Sequence, residues 1–134
     1  MLYNIKTGYQ GVEQIPMRDI VILVSSLRRV AEYGIGFVFT DRHAYLQTAT
    51  FSSDLATLVG LDWESWRARD FKRKPEDPSK MERYQAEALI HHHLPVEGLT
   101  GLACYGEAQQ EALEADCARR DVGLRVVARP GWYP

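Results

Sequence analysis

The longest uninterrupted apolar run in this sequence is only five residues long, from Ile20 to Val24. A run of this length fits a β-strand, whereas a membrane-spanning helix needs about 20 apolar residues. Its β-branched residues predict a strand over Asp19–Val24 that is buried on both faces. The opening segment Met1–Gln10 is polar and has no apolar core of its own, unlike a secretory signal. We therefore expect short strands in a protein of the cytoplasm.

Turn residues divide the rest of the chain into further short elements. The other predicted strands are Gly36–Phe39, Gln85–His91, Leu99–Tyr105 and Leu124–Ala128. No repeat, low-complexity tract or linker interrupts this order. The sequence therefore predicts one α+β domain over residues 1–134.

The helices are predicted from capping residues and from apolar periodicity. Ser25 or Ser26 is expected to cap a short helix that ends at Gly34, and Ser53 or Asp54 a second one that ends at Val59. The clearest helix is Glu107–Arg120. Its apolar face is expected to contain Ala108, Ala112, Leu113 and Cys117.

A local cluster of positive charge stands out against a mildly acidic chain. The formal net charge is −2, so the molecule as a whole is not expected to bind polyanions. Residues 66–74, however, combine five cations with Trp66, Phe71 and the single acid Asp70. Cations attract phosphates and aromatic rings stack with bases, so this basic segment predicts a nucleic-acid contact. The alternative is a solvated charged face, which is the commoner meaning of such a run.

Glu87 is the most conspicuous carboxylate, because it stands at the start of an apolar run in Met81–Ile90. A turn-rich hinge, Pro75–Ser79, separates it from the basic segment. An isolated acid at the start of a buried strand is a typical position for a catalytic carboxylate. The competing interpretation is that Glu87 only forms an ion pair with an arginine such as Arg83.

Several other features receive structural interpretations. His91–His93 is not expected to bind metal, because consecutive strand residues alternate between faces. Cys104 and Cys117 lack metal-ligand spacing and are expected to be buried free thiols, as in the reducing cytoplasm. Trp63 and Trp66 are interpreted as partial core, and Trp132–Tyr133 as packing back on the sheet. Asp70 and Lys72 form only a weak match to the acid-x-lysine element of metal-dependent nucleases.

Six segments together resemble the DarT-type DNA ADP-ribosyltransferase toxins. They occur in the family's order and cover nearly the whole chain: Ile20–Arg28, Phe37–Asp41, Arg67–Phe71, Pro75–Pro78, Glu82–Ile90 and Arg129–Tyr133. The resemblance implies an ADP-ribosyltransferase-like fold, with a mostly antiparallel β-sheet core and short flanking helices. It also implies that NAD is the substrate, with no metal, and that Glu87 is the catalytic glutamate.

The same resemblance implies where DNA would bind. The segment from His43 to Glu82 corresponds to the loop region that presents a single-stranded acceptor; the family's target is thymidine, with guanosine used by some members. Phosphate contacts are expected from Arg67, Arg69, Lys72, Arg73 and Lys74. His43, Tyr45 and Tyr84 are expected to stack or hydrogen-bond with the target base.

The resemblance also carries expectations about completeness and partners. Family members have a portion before the position matching Met1 that holds much of the NAD pocket, so we expect an N-terminally truncated fold that is inactive by itself. A macrodomain antitoxin is the implied partner, and a homodimer is expected to cover the exposed edge. The alternatives are a non-catalytic module that binds single-stranded nucleic acid, and an inactive toxin remnant.

Overall fold

A computed structural model of the protein describes residues 2–134; Met1, where the predicted domain begins, lies outside them. The α-helices are α1 Leu2–Thr7, α2 Leu27–Glu32, α3 Trp63–Ala68, α4 Lys80–Arg83 and α5 Glu107–Arg119. The strands are β1 Ile22–Val24, β2 Phe37–Thr40, β3 Phe51–Ser52, β4 Ala88–Ile90, β5 Gly101–Cys104 and β6 Arg125–Ala128. Segments of 3-10 helix are Tyr9–Gly11, Met17–Asp19, Leu55–Gly60, Val96–Gly98 and Pro130–Trp132.

The described residues form two compact units, and the first combines the chain up to Ser26 with Val96–Pro134. Its sheet has the order β1-β5-β6, in which β1 is antiparallel and β6 parallel to the central β5. All four residues of β5 are buried because strands flank them on both sides. Helix α5 packs Leu113 and Cys117 against the core of this unit, which contains Leu102, Cys104 and Val126.

Tyr133 anchors the C-terminal end to this first unit. Its side chain is buried, and its hydroxyl lies within hydrogen-bonding distance of the carbonyl oxygens of Ile20 (2.9 Å) and Ala103 (3.0 Å). Burial raises the pKa of the Tyr133 hydroxyl, which keeps it a neutral donor. The predicted packing is therefore confirmed for Tyr133, whereas Trp132 remains 47% exposed.

The second unit, Leu27–Pro95, contains an antiparallel sheet with the order β3-β2-β4. Phe39 lies opposite Ser52 on one side and Ala88 on the other, and it is buried. Helix α2 ends at Glu32, two residues before the predicted Gly34, which forms the turn after it: Gly34 adopts φ 65°, and the Ile35 N–H donates to the Val30 carbonyl at 3.1 Å. Such a left-handed turn after a helix favours glycine, which has no Cβ to clash.

Two strands are less buried than the sequence predicted. The first strand covers only Ile22–Val24, and Leu23 is 64% exposed, so the prediction of burial on both faces is wrong. The strand after Glu87 begins at Ala88, and its Leu89 is 38% exposed. The reason is the same in both cases: β1 and β4 are edge strands of three-stranded sheets, so one side has no neighbouring strand.

Helix α5 ends one residue earlier than predicted, and only part of its expected apolar face is covered. Leu113 and Cys117 contact the core, but Ala108 and Ala112 are exposed. Cys104 is buried, and burial raises the pKa of its thiol; Cys117 is half-buried, and both thiols are free.

The predicted α+β class with mostly antiparallel sheets and short helices is confirmed. Single-domain organisation over the whole chain stays a prediction. None of the helices within residues 2–134 has the length and apolarity needed to cross a membrane.

Candidate functional site

Glu87 is fixed to the end of the central strand β2 by its own backbone. The Thr40 N–H donates to the Glu87 carbonyl at 2.9 Å, and the Glu87 N–H donates to Thr40 Oγ1 at 3.1 Å. Thr40 is only 1% exposed, so this two-way connection lies in the interior of the unit. The backbone of Glu87 is therefore fixed in position, although the strand that follows it is an edge strand.

The Glu87 carboxylate is held from outside the strand by the turn that follows β2. Its Oε1 accepts a hydrogen bond from the Ala44 N–H at 2.8 Å and lies 3.1 Å from His43 Nδ1. The Glu87 side chain is 38% exposed, which leaves it accessible to a substrate. Within residues 2–134 both contacts use Oε1, so Oε2 is available to a ligand.

His43 Nδ1 has two neighbours that make opposite demands on its proton. The Glu87 oxygen at 3.1 Å requires an N–H donor, whereas the Tyr45 N–H at 3.3 Å would require a lone pair. One nitrogen cannot provide both. We assign the hydrogen to the shorter contact, because an unprotonated nitrogen facing a carboxylate oxygen at 3.1 Å would be repelled. His43 thereby orients the carboxylate.

The alternative partner for Glu87 is excluded by the surroundings of Arg83. Its guanidinium bonds Asp62 at 2.7 Å and Asp77 at 2.6 Å, so the competing interpretation, an ion pair between Glu87 and Arg83, does not hold. These hydrogen bonds from Arg83 lower the pKa of both aspartates, which in turn raise the pKa of the guanidinium. Arg83 thus joins α4 to the start of α3 and to the hinge.

A second ion-pair group flanks the turn that holds Glu87. Arg42 contacts Asp41 at 3.1 Å and Glu82 at 3.4 Å, and Asp41 accepts a hydrogen bond from the Thr50 N–H at 2.8 Å. Burial alone would raise the pKa of Asp41, but the bonds from Thr50 and Arg42 lower it overall. The sequence analysis missed this group, because nothing in the local pattern connects residues 40 positions apart.

The basic segment 66–74 starts in α3 and then turns sharply. Asp62 caps α3 by accepting from the Ser65 N–H at 3.1 Å, and Arg69 ends it with φ 50°. The five predicted phosphate-binding side chains are all exposed: Arg67, Arg69, Lys72, Arg73 and Lys74. Lys74 differs from the others because it pairs with Asp70 at 3.1 Å, which raises the pKa of Lys74.

Aromatic contacts join the basic segment to helix α4 and the residue after it. The Trp66 indole N–H donates to the Arg83 carbonyl at 3.2 Å, and the Phe71 and Tyr84 rings lie 4.9 Å apart. The Tyr84 hydroxyl donates to the Ser65 carbonyl, so it is already occupied. Trp66 and Tyr84 are half-buried in this packing. Tyr45, in contrast, is 89% exposed and offers its ring to solvent.

A cavity of about 520 Å³ opens beside the basic segment. It is lined by Arg73, Lys74, Pro75, Asp77, Pro78, Met81, Glu82 and Gln85. It thus combines two predicted phosphate ligands with both acidic and neutral polar side chains, all of which belong to the second unit. For metal ions, no group of three or more His, Cys, Asp or Glu side chains within residues 2–134 is arranged to bind one.

The whole chain matches one protein-family model. That model is described as "ssDNA thymidine ADP-ribosyltransferase, DarT", and the match spans residues 1–134. The chain belongs to the DarT family. This confirms the resemblance seen in the sequence.

Individual DarT relatives agree with this assignment. The chain is 47% identical over 133 residues to a DNA ADP-ribosyl transferase of Escherichia coli O127:H6, covering 99% of this chain and 61% of the relative. It is 36% identical over 141 residues to a DNA ADP-ribosyl transferase of Thermus sp. strain 2.9, covering 99% of this chain and 63% of that protein. The chain therefore spans about three fifths of the length of these curated relatives.

Solved DarT structures have the same fold. Thermus sp. 2.9 DarT in complex with NAD+ superposes with a TM-score of 0.82 at 34% identity, covering 99% of this chain and 66% of that one. The same protein in complex with ADP-ribosylated ssDNA gives a TM-score of 0.85 at 33% identity, covering 99% and 63%.

Proposed function

We propose that this DarT chain supplies the catalytic carboxylate and the DNA-binding surface of an enzyme that transfers ADP-ribose from NAD to thymidine in single-stranded DNA. The observation that carries the proposal is Glu87, whose accessible carboxylate is oriented by Ala44 and His43 and whose backbone is bonded to Thr40 at the end of the central strand β2. The complexes of the Thermus sp. 2.9 relative with NAD+ and with ADP-ribosylated ssDNA support both substrates.

The chemistry of the proposed reaction gives Glu87 two tasks. The bond between nicotinamide and ribose C1′ breaks, and nicotinamide leaves with the bonding electron pair. Positive charge develops on the ribose, and a carboxylate nearby stabilises it. A nucleophilic atom of the base then bonds to C1′ and releases its proton, which Glu87 is placed to accept. The hydrogen bonds from Ala44 and His43 to Oε1 leave Oε2 for these tasks.

The acceptor strand is proposed to run along the basic segment. The exposed side chains of Arg67, Arg69, Lys72 and Arg73 offer phosphate contacts, with Lys74 contributing less because it is already paired with Asp70, a carboxylate that Lys80 also contacts. Such contacts position a strand without reading its sequence. Tyr45, exposed and next to His43, is the proposed stacking surface for the target base, whereas Tyr84 contributes through packing. A single strand is favoured because a base inside a duplex is inaccessible.

The proposed cellular setting follows from the family. A DNA-modifying toxin of the cytoplasm requires an antitoxin, for which we propose a macrodomain protein that removes ADP-ribose. A homodimer contact is proposed at the β1 edge, since Leu23 and Val21 are exposed there on an unpaired strand edge.

A second candidate function is a non-catalytic module that binds single-stranded DNA. The dense row of exposed cations favours it independently of Glu87. Incubation with NAD and thymidine-containing oligonucleotides, followed by mass spectrometry, separates the candidates. The protein is expressed with any coding sequence that adjoins these 134 residues. Formation of ADP-ribosylated oligonucleotide supports the enzyme, and binding without product supports the module. The absence of both product and binding indicates an inactive remnant.

A further inference from the structure

Lys80 is a charged side chain buried in the second unit, with only 3% of its surface exposed. Removing an ammonium group from water is costly unless close partners replace its hydration. The sequence pattern gives no reason for this burial, because Lys80 lies in a polar helix after the hinge. Its location must therefore be explained by what it contacts.

The Lys80 ammonium binds two groups of the basic segment. Its Nζ lies 2.8 Å from Asp70 Oδ2 and donates to the Lys72 carbonyl at 3.0 Å. The Tyr84 ring centroid, 5.9 Å away, adds a weak cation–π contact. Asp70 connects the group further, because its other oxygen accepts the Lys72 N–H at 3.2 Å. The backbone of residue 72 is thus held on both its N–H and its carbonyl side.

We infer that Lys80 is a positioning residue that fixes the basic segment for DNA binding without touching DNA itself. The inference deepens the proposed function and rests on its DNA path. Lys72 is the residue whose backbone is held, and Arg73 comes directly after it. Lys80 therefore fixes the backbone from which these two exposed cationic side chains extend. A binding surface that is already ordered loses less conformational entropy when it engages a ligand.

The test compares single-stranded DNA affinity and its salt dependence in three variants of the chain. Lys80→Met removes the buried ammonium, Arg73→Met removes a proposed phosphate contact, and Lys6→Met makes the same charge change in the first unit. Lys80→Met is expected to weaken binding by about fivefold to tenfold, the cost of ordering one or two mobile side chains. Its salt slope is expected to stay at the parent value, because no phosphate contact is lost. Arg73→Met is expected to reduce the slope, and Lys6→Met to change neither quantity.

Hydrogen exchange provides the second measurement in the same variants. Amides of residues 70–74 are expected to exchange faster in Lys80→Met, with unchanged exchange in α5 as a folding control. Should Lys80→Met fail to fold, Lys80→Gln takes its place; it removes the charge but retains a polar donor for Asp70, so a smaller loss of affinity and a smaller increase in exchange are expected, and parental values for both would overturn the positioning role.

The outcomes separate the inference from the function on which it rests. If the parent binds single-stranded DNA and Lys80→Met binds equally well, the positioning role is overturned while the DNA path stands. If Lys80→Met reduces the salt slope as Arg73→Met does, Lys80 is a phosphate ligand and the inference is also overturned. If the parent does not bind single-stranded DNA, the proposed DNA path fails, and the positioning role with it.

Discussion

The backbone amide of Ala44 donates to the carboxylate of Glu87 at 2.8 Å and thereby connects the turn after β2 to the start of β4. This contact comes from main chain, so most substitutions at position 44 preserve it. The hydrogen bond orients the carboxylate, because it holds Oε1 and leaves Oε2 free to act on a substrate.

Ala44→Pro is the substitution that removes this hydrogen bond, because proline has no N–H. We expect it to lower the rate of DNA modification by about 10- to 100-fold, the effect of misplacing a catalytic group. Ala44→Gly retains the N–H and serves as the matched control, with near-parental rates expected. Single-turnover kinetics with an oligonucleotide measure both. Equal rates for the proline and glycine variants would contradict the claim that the Ala44 N–H orients the Glu87 carboxylate.

The exposed cations are expected to contribute unequally to DNA binding. Replacing Arg73 by Ala should reduce the slope of log affinity against log salt by about 0.7, the value for one phosphate contact with a single strand. Lys74→Ala should reduce it by less, because Lys74 is already paired with Asp70. Arg120→Ala on the first unit is the charge-matched control. Fluorescence anisotropy over a salt series measures the slopes, and a larger effect at Lys74 than at Arg73 contradicts the assignment.

The Arg83 ion pairs predict an acid-sensitive second unit. Arg83 holds the pKa of Asp62 and of Asp77 below the usual value of 3.8. A carboxyl with a lowered folded-state pKa adds stability that is complete above its unfolded pKa, and this stability is lost as pH falls through the folded pKa. The thermal unfolding midpoint of the parent should therefore decrease as the pH is lowered below about 4.

Arg83→Met tests this ion-pair contribution directly. We expect a lower unfolding midpoint than the parent at pH 7 and a smaller further decrease below pH 4, since the pKa shifts disappear with the guanidinium. Arg120→Met controls for the loss of one surface arginine. Parallel pH profiles for Arg83→Met and the parent would mean that these pairs contribute nothing measurable.

Gly101 is expected to be intolerant of any side chain. A Cβ at this position would lie 2.5 Å from the Arg125 carbonyl oxygen across the parallel β5–β6 pair. Because that oxygen belongs to backbone, Gly101→Ala should destabilise the protein by about 1–3 kcal/mol through overpacking. Gly123→Ala is the matched control, as its Cβ would meet nothing within 4 Å. Urea unfolding of the two variants checks the prediction, and equal stabilities would refute the close approach.

The sequence predicted elements whose signal is local. Helix α5 was predicted to within one residue from apolar periodicity, and α2 from the glycine that follows its end. Helix α3 was missed, although Asp62, three residues before Ser65, is an N-cap signal. The two-residue strand Phe51–Ser52 exists only through its pairing with β2. Nothing within residues 51–52 distinguishes them from a loop.

In the candidate site, too, the sequence indicated residues with a local signal and missed those that depend on contacts distant in sequence. Glu87 stood out as an isolated acid before an apolar run, and its assignment as catalytic stays a prediction. What orients it lies 43 residues earlier, at Ala44, and this distance in sequence cannot be bridged without the antiparallel pairing of β2 with β4. Burial of Lys80 was equally hidden, since its partner Asp70 appeared only as the one acid of the basic segment.

The central claim is that Glu87 performs the transfer chemistry, and the most direct measurement compares Glu87→Gln with its parent. Both are expressed with any coding sequence that adjoins these 134 residues. They are then incubated with NAD and a thymidine-containing oligonucleotide, and ADP-ribosylated product is quantified by mass spectrometry. Glu111→Gln on α5 controls for the loss of one carboxylate. We expect Glu87→Gln to form product about 10²- to 10⁴-fold more slowly, the contribution of a catalytic acid–base group, with unchanged DNA affinity. Product formation by Glu87→Gln at the parental rate would contradict the account.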